Sequence, residues 1–180
     1  RMPVAINISF GNTYGSHEGT SLLERYLDDM ANYWKSVICV GSGNEGTSAG
    51  HTSGVLKERE EQRVELGVQQ REPALNVQLW KSYVDEVDIS VIGPSGVRVG
   101  PISKRLGTQR FRIEATEILL YYGKPSPYQT NQEIYFDFIP TGSYIDSGVW
   151  QFVLTPRKVV TGIYQMWLPS QSVLNQGTAF

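Results

Sequence analysis

The stretch "SVICVGSGNEGTSAGH", residues 36–51, runs from an apolar segment into a loop in which glycines flank a polar pair. Residues 36–42 predict a buried strand. The following Gly43-Asn44-Glu45-Gly46 is, taken alone, typical of a turn, because glycine and asparagine both tolerate positive φ. A second interpretation places Asn44 at the carboxyl end of a parallel strand, the edge at which open α/β sheets bind ligands. The residues on either side of this stretch discriminate between the two interpretations.

The residues before this stretch predict a strand and a helix. Residues 3–10, "PVAINISF", form a mostly apolar run typical of a strand buried on both faces, and a loop rich in Gly, Ser and Asn follows at 11–20. "SLLERYLDDMANYWK" then carries apolar residues at 22, 23, 26, 27, 30 and 34, the spacing of an amphipathic helix. Ser21 and Glu24 fit a capping box at its start. A strand, a helix and a strand in this order predict a right-handed crossover in a parallel sheet.

The residues after this stretch predict a different architecture. "LKEREEQRVELGV", residues 56–68, is a charged connector that turns into a strand near Arg63. Beyond residue 60 the helical periodicity disappears, and short β-branched and aromatic segments alternate with Gly and Pro. Segments of this kind predict an antiparallel β-sandwich. The predicted fold class is therefore α/β plus all-β, a piece of a parallel sheet followed by a sandwich.

The composition excludes several classes of function. The chain has 180 residues, of which 40% are apolar, and a net charge of −2, which argues against a nucleic-acid or anionic-membrane binder. No apolar run is long enough for a membrane span, and no signal-peptide pattern opens the chain. The single Cys39 excludes an internal disulfide and a cysteine-based metal site. His17 and His51 are the two histidines, too few for a three-histidine zinc site, and no cofactor is predicted.

Several stretches together resemble one protein family. "INISFG" (6–11), a Gly/Ser loop, an amphipathic helix and "VICVGSGNEGTSAG" (37–50) resemble, in order and spacing, the middle of a subtilisin-like serine protease, a subtilase of the peptidase S8 family. "INISFGNTYGSHEGTSLLE", "LWKSYVDEVDISVIGPSG" and "YQMWLP" are similar to the clostridial Csp-type subtilases, a group that includes spore-germination proteases. In that group a jelly-roll domain is inserted between the oxyanion asparagine and the nucleophile.

The resemblance implies a fold, an activity and a set of site residues. It implies that residues 1–60 are a segment of the subtilase α/β core, that 61–170 are the jelly-roll insertion, and that 171–180 return towards the core. The implied activity is peptide-bond hydrolysis through an acyl-enzyme, with a polypeptide as substrate. Asn44 corresponds to the side-chain donor of the oxyanion hole, a group that stabilises the developing negative charge. The implied walls of the substrate pocket are Ser9, Phe10 and Gly11 on one side and Gly41, Ser42 and Gly43 on the other.

The catalytic Asp, His and Ser of that family have no counterpart in these residues. The chain is therefore expected to be an internal fragment that is inactive alone and that binds the remainder of its own protease chain. Two Gly-Thr stretches do not supply the serine: Ser21 is better explained as a helix cap, and Gly177-Thr178-Ala179 lacks the serine hydroxyl. His17 and His51 are interpreted as polar surface residues, Cys39 and the tryptophans at 80, 150 and 167 as core residues. Glu45 is interpreted as a turn residue or a polar contact on the substrate side.

Two other functions stay open. A catalytically dead pseudoprotease could keep the same fold, and a β-sandwich binding or regulatory module could carry the first fifty residues as an accessory. Exposed strand edges in the first segment also predict possible self-association of the fragment. Its location is unknown, with spore association implied by the resemblance alone.

Overall fold

The structure is a computed structural model that describes residues 2–33, 35–125, 127 and 129–180. Most of its regular elements are strands. The helix α1 (Leu22–Asn32) lies between the first two strands along the chain. The strands are β1 (Val4–Ile8), β2 (Ser36–Val40), β3 (His51–Val55), β4 (Gln62–Val68), β5 (Leu75–Ser82), β6 (Glu86–Ile92), β7 (Arg98–Val99), β8 (Gly107–Ile113), β9 (Thr116–Tyr122), β10 (Asn131–Pro140), β11 (Gly148–Lys158) and β12 (Ile163–Trp167).

Two antiparallel sheets enclose the hydrophobic core. One sheet has the order β3-β12-β5-β10-β9-β8 and the other has the order β4-β11-β6-β7. Alternate residues of β10, including Phe136 and Phe138, are buried, as expected of a strand with one face on a core. They meet Trp150 and Phe152 of β11 edge to face, with both Phe136–Phe152 and Phe138–Trp150 ring centroids 5.1 Å apart. The core therefore lies between the two sheets, and aromatic side chains from both of them fill it.

The strands β1 and β2 form a separate parallel pair, in register from Val4 opposite Ser36 to Ile8 opposite Val40. The helix between them begins at Ser21, whose side chain accepts the Glu24 N–H while the Glu24 carboxylate accepts the Ser21 N–H. This is the predicted capping box. No residue of α1 is buried, and every described residue of β1 and β2 is exposed or half-buried.

The predicted fold class, a strand-helix-strand piece of a subtilisin-like parallel sheet followed by a jelly-roll-type insertion, is wrong. The described residues form a mostly β molecule with antiparallel sheets and one α-helix, and parallel pairing is confined to β1 and β2. The physical reason is that an apolar run predicts a strand but does not set the number of neighbours that cover it. With two strands and one helix, neither strand is buried on both faces, and Cys39 is exposed rather than buried. Trp34, assigned to the apolar face of the helix, lies outside the described residues.

The first strand of the six-stranded sheet, β3, lies before the charged connector. It pairs with β12, from His51 opposite Trp167 to Val55 opposite Ile163. At the other end of the chain, Ala179 forms a bridge with Gly67 of β4. The division at residues 1–60, 61–170 and 171–180 stays a prediction, and hydrogen bonds cross both of its boundaries.

Candidate functional site

The carboxyl ends of β1 and β2 bring two of the predicted pocket segments together. Beyond the last strand pair, the Gly41 N–H donates a hydrogen bond to the Ile8 carbonyl at 3.0 Å. A Cβ built on Gly41 would lie 3.8 Å from the Ser9 Cα, so the two backbones are in contact at this point. Because the strands are parallel, both chains leave the pair on the same edge. The first residues of the two predicted walls, Ser9 and Gly41, are therefore neighbours.

The remaining predicted wall residues are open to solvent. Phe10 is 75% exposed. Among the described residues other than the chain neighbours, none has an atom within 4 Å of a Cβ built on Gly11 or on Gly43, and Gly43 has a positive φ of 90° that favours glycine. Ser42 is also exposed. Beyond the Ser9–Gly41 contact, both segments are therefore exposed.

Asn44 follows directly on this surface. Its side chain is exposed and forms no hydrogen bond with any residue that the structure describes. An amide that is free of internal partners can donate its N–H to a group outside the protein, whereas a turn asparagine commonly bonds its own backbone. Asn44 thus follows the Ser9–Gly41 contact by three residues along the chain, and its side-chain amide has no hydrogen-bond partner among the described residues.

Glu45, the next residue, is hydrogen-bonded to the segment that follows β12. Its carboxylate accepts hydrogen bonds from the Ser170 hydroxyl at 2.6 Å and from the Gln171 N–H at 3.2 Å. These hydrogen bonds, the Ser170 one above all, hold the pKa of Glu45 below its usual value. Its backbone carbonyl accepts from both the N–H and the hydroxyl of Ser48, which closes a turn. The sequence predicted the turn but not the distant partners of the carboxylate.

The two histidines lie on opposite faces of one tryptophan. The ring of His17 stacks on Trp167 with centroids 3.7 Å apart, and the ring of His51 stacks on Trp167 at 3.9 Å. His17 Nε2 donates to the Thr13 carbonyl, and His51 Nε2 lies 2.6 Å from the Gln165 side-chain oxygen. Burial lowers the pKa of His17, against the opposing effect of the Thr13 hydrogen bond. The prediction that both are simple polar surface residues missed this stack, because only the strand pairing places His51 opposite Trp167.

The loop before α1 docks on the outer face of the six-stranded sheet. The buried Gln78 donates to the Thr13 carbonyl at 3.3 Å, and Asn76 donates to the Tyr14 hydroxyl at 3.1 Å. Asn131 donates to the Glu18 carboxylate. We call residues 12–18 the docked loop. It follows directly on the predicted wall at residues 9–11, so the sheet also fixes where that wall ends.

Two cavities flank the tryptophan of this stack. One, of about 290 Å³, lies between residues 45–51 and the end of β12, and Thr13, Glu45, His51, Trp167 and Pro169 line it. The other, of about 400 Å³, is lined by residues of the docked loop together with Trp80, Lys81, Asn131 and Gln165. Neither cavity touches Asn44, so neither extends the predicted substrate site.

The described residues contain no pairing of a histidine with a hydroxyl group. The partners of His17 and His51 are a carbonyl and an amide oxygen. Ser21 caps α1, and the Thr178 hydroxyl donates to the buried Glu72 at 2.7 Å. A serine needs an adjacent base to become a nucleophile, so none is activated by a histidine in this part of the chain.

The ranges 2–33, 35–125, 127 and 129–180 hold no group of three or more His, Cys, Asp or Glu that could bind a metal ion. Within those ranges, no helix has the length and apolar character needed to cross a membrane.

The comparisons with known proteins relate the chain to a protease. No protein-family model matches it, and no match is found among the curated proteins. Among solved structures, it is similar to the CspB protease of Clostridium perfringens, with a TM-score of 0.89 and 31% sequence identity. The similarity covers 99% of this chain and 36% of that protein's chain. The chain is thus related in structure to a protease, and it spans little more than a third of that protein's length.

Proposed function

We propose that this chain supplies the oxyanion donor and the pocket walls of a longer subtilisin-like serine endopeptidase. The observation that carries the proposal is the position of Asn44, exposed and without internal partners, just beyond the contact of Ser9 with Gly41. The similarity of nearly the whole chain to a clostridial protease supports it. The serine, histidine and aspartate would come from the remainder of the same protease chain.

In this proposal a polypeptide substrate lies across the open surface between residues 9–11 and 41–43. Glycines at positions 11, 41 and 43 leave room for the substrate backbone to approach. A serine outside this chain attacks the scissile carbonyl carbon, and the carbonyl oxygen takes up the electron pair as an oxyanion. The Asn44 side-chain N–H donates to that oxygen and stabilises it until the carbonyl re-forms and the amine leaves.

The test uses Asn44→Ala in the full-length protein. The donor acts on the transition state, so kcat falls while KM changes little. The expected loss in kcat is on the order of 10²–10³, the magnitude typical of removing one oxyanion donor, for which subtilisin itself is the reference case. Asn32→Ala, at an exposed asparagine on α1, is the matched control and leaves kcat unchanged.

Two results would contradict the proposal. An unchanged kcat in Asn44→Ala would mean that Asn44 is only a turn residue. A full-length wild-type protein that hydrolyses no peptide would instead favour the non-catalytic relative, a pseudoprotease that keeps the binding surface.

A further inference from the structure

The loop that carries Asn44 is tied to the sandwich on one side only. After Asn44, the Glu45 carboxylate binds Ser170 and Gln171, and the Gly50 carbonyl accepts the Leu168 N–H at 2.8 Å. The Ala49 carbonyl accepts the N–H of Phe180 at 3.1 Å. Before Asn44, none of the described residues other than its chain neighbours has an atom within 4 Å of a Cβ built on Gly43, and the nearest backbone contact is that of Gly41 with Ile8. The loop is thus fixed directly beside Asn44 on the Glu45 side and three residues away on the strand side.

We propose that Glu45 is a positioning residue that holds Asn44 in place through Ser170 and Gln171. This inference rests on the proposed function of Asn44 as the oxyanion donor. Glu45 is adjacent to Asn44 in the chain, and consecutive Cα atoms are about 3.8 Å apart, so a fixed Glu45 leaves Asn44 little freedom of position. The glycine on the other side gives no comparable restraint.

The hydrogen bonds of the carboxylate distinguish a positioning role of Glu45 from a direct contact of Glu45 with the substrate. Both Glu45 oxygens are occupied, Oε1 by the Ser170 hydroxyl and Oε2 by the Gln171 N–H. Ser170 is partly buried. The lowered pKa of Glu45 keeps it ionised, and hydrogen bonds to a charged acceptor are stronger than those to a neutral one. Both oxygens of the carboxylate are therefore held by residues 170 and 171, which follow β12.

The position of Asn44 matters because an oxyanion donor stabilises the transition state fully only when its N–H is already directed at the place where the negative charge develops. A donor that must reorganise during the reaction loses part of its stabilising effect, and a misplacement of about 1 Å can cost about a hundredfold in rate. Residues 168–171 follow β12. The hydrogen bonds of Glu45 with Ser170 and Gln171, which we call the tether, therefore connect the sandwich to the loop that carries Asn44.

The first experiment measures how firmly the tether holds the loop, and it does not depend on peptidase activity. Amide exchange at Ser48 and Gln171, whose N–H groups donate to the Glu45 carbonyl and carboxylate, is compared between wild type and Glu45→Ala in the full-length protein. Exchange about tenfold faster at both amides, with unchanged exchange in β10 and β11, is the expected result, because a hydrogen bond to a charged group is lost and the loop loosens. Unchanged exchange at Ser48 would overturn the proposal.

The second experiment measures the consequence for catalysis. Glu45→Ala and Ser170→Ala are each expected to lower kcat about tenfold with KM unchanged, because Asn44 acts only in the transition state. The double variant should be no slower than Glu45→Ala, since both changes remove one interaction. Ser170→Thr keeps the hydroxyl and should restore the rate. Ser53→Ala, an exposed hydroxyl on β3 that is hydrogen-bonded neither to Glu45 nor to Ser170, is the matched control.

The kcat values for different peptide substrates distinguish a positioning role of Glu45 from direct contact with the substrate. Peptides with Lys, Glu or Leu at the residue before the scissile bond should all lose the same factor in kcat. A loss that changes with the charge of that residue would overturn the proposal, because it would mean that Glu45 faces the substrate. If Asn44→Ala leaves kcat unchanged, the proposed function fails. If only Asn44→Ala lowers kcat, the proposed function stands and the role of Glu45 fails.

Discussion

Trp167→Ala tests whether the two histidines hold the candidate site against the sandwich. The change removes two ring stacks, at 3.7 Å and 3.9 Å, and leaves both histidines without their common partner. A stacked aromatic pair is worth about 0.5–1.5 kcal/mol beyond its buried area, so the two stacks together contribute about 1–3 kcal/mol. Because Trp167 is only half-buried and lies on the outer face of its sheet, this free energy belongs to local docking rather than to the core.

The assay is native-state hydrogen exchange, read separately for the docked loop, for residues 49–52 and for β10. In Trp167→Ala the docked loop and residues 49–52 should each lose about 0.5–1.5 kcal/mol of protection, because each contains one of the two stacked histidines, while β10 keeps its own. Trp150→Ala is the control, because Trp150 is fully buried in the core, and its loss should lower the global free energy of unfolding by about 3–5 kcal/mol. If Trp167→Ala leaves both groups protected, or lowers protection equally everywhere, the stack does not act as a local tether.

Two further predictions concern the histidines. Burial lowers the pKa of His17, against the smaller raising effects of Thr13 and Glu24, so the folded chain binds a proton less readily than the unfolded chain. Its contribution to docking is therefore complete above the unfolded pKa of 6.5 and is lost as the pH falls below that value. The protection of the docked loop, corrected for the intrinsic exchange rate at each pH, should fall between about pH 7.5 and about pH 5.5, and His17→Phe should remove that part of the change. A wild-type loop with the same corrected protection at both values would refute the assignment. This chain by itself should not react with a fluorophosphonate probe or digest casein, because neither histidine contacts a hydroxyl, and stoichiometric labelling of any serine would contradict this.

The helix and the first two strands could be predicted from the sequence, because each of them depends on residues that are close together in the chain. The helix was predicted from its apolar spacing, and its start was set by Ser21 and Glu24, three residues apart. The pairs of β1 with β2 follow from two apolar runs joined by a helix. The prediction of the fold class was wrong, because the residue pattern at 3–10 and 36–42 does not determine how many strands lie beside these two.

The contacts of the candidate site could not be predicted in the same way. Strand β3, "HTSGV", has little strand propensity and is fixed by pairing with β12, more than a hundred residues later. The carboxylate of Glu45 and the ring of His51 have partners at residues 170 and 165. Sequence spacing carries no information about such distances, so residue type predicted the turn at Glu45 but not the direction of its side chain.

The edge position of β3 has a mechanical consequence. The loop that carries Asn44 runs into β3 at His51, and β3 is the outermost strand of its sheet, paired only with β12 through five residue pairs. A pull on the loop away from the sheet first loads the hydrogen bonds of Glu45, Ala49 and Gly50, and then these pairs one after another, starting at His51 and Trp167. An edge strand has a neighbour on one side only, whereas the inner strands are paired on both sides. Detachment of the loop therefore disrupts this edge of the sandwich before its inner strands.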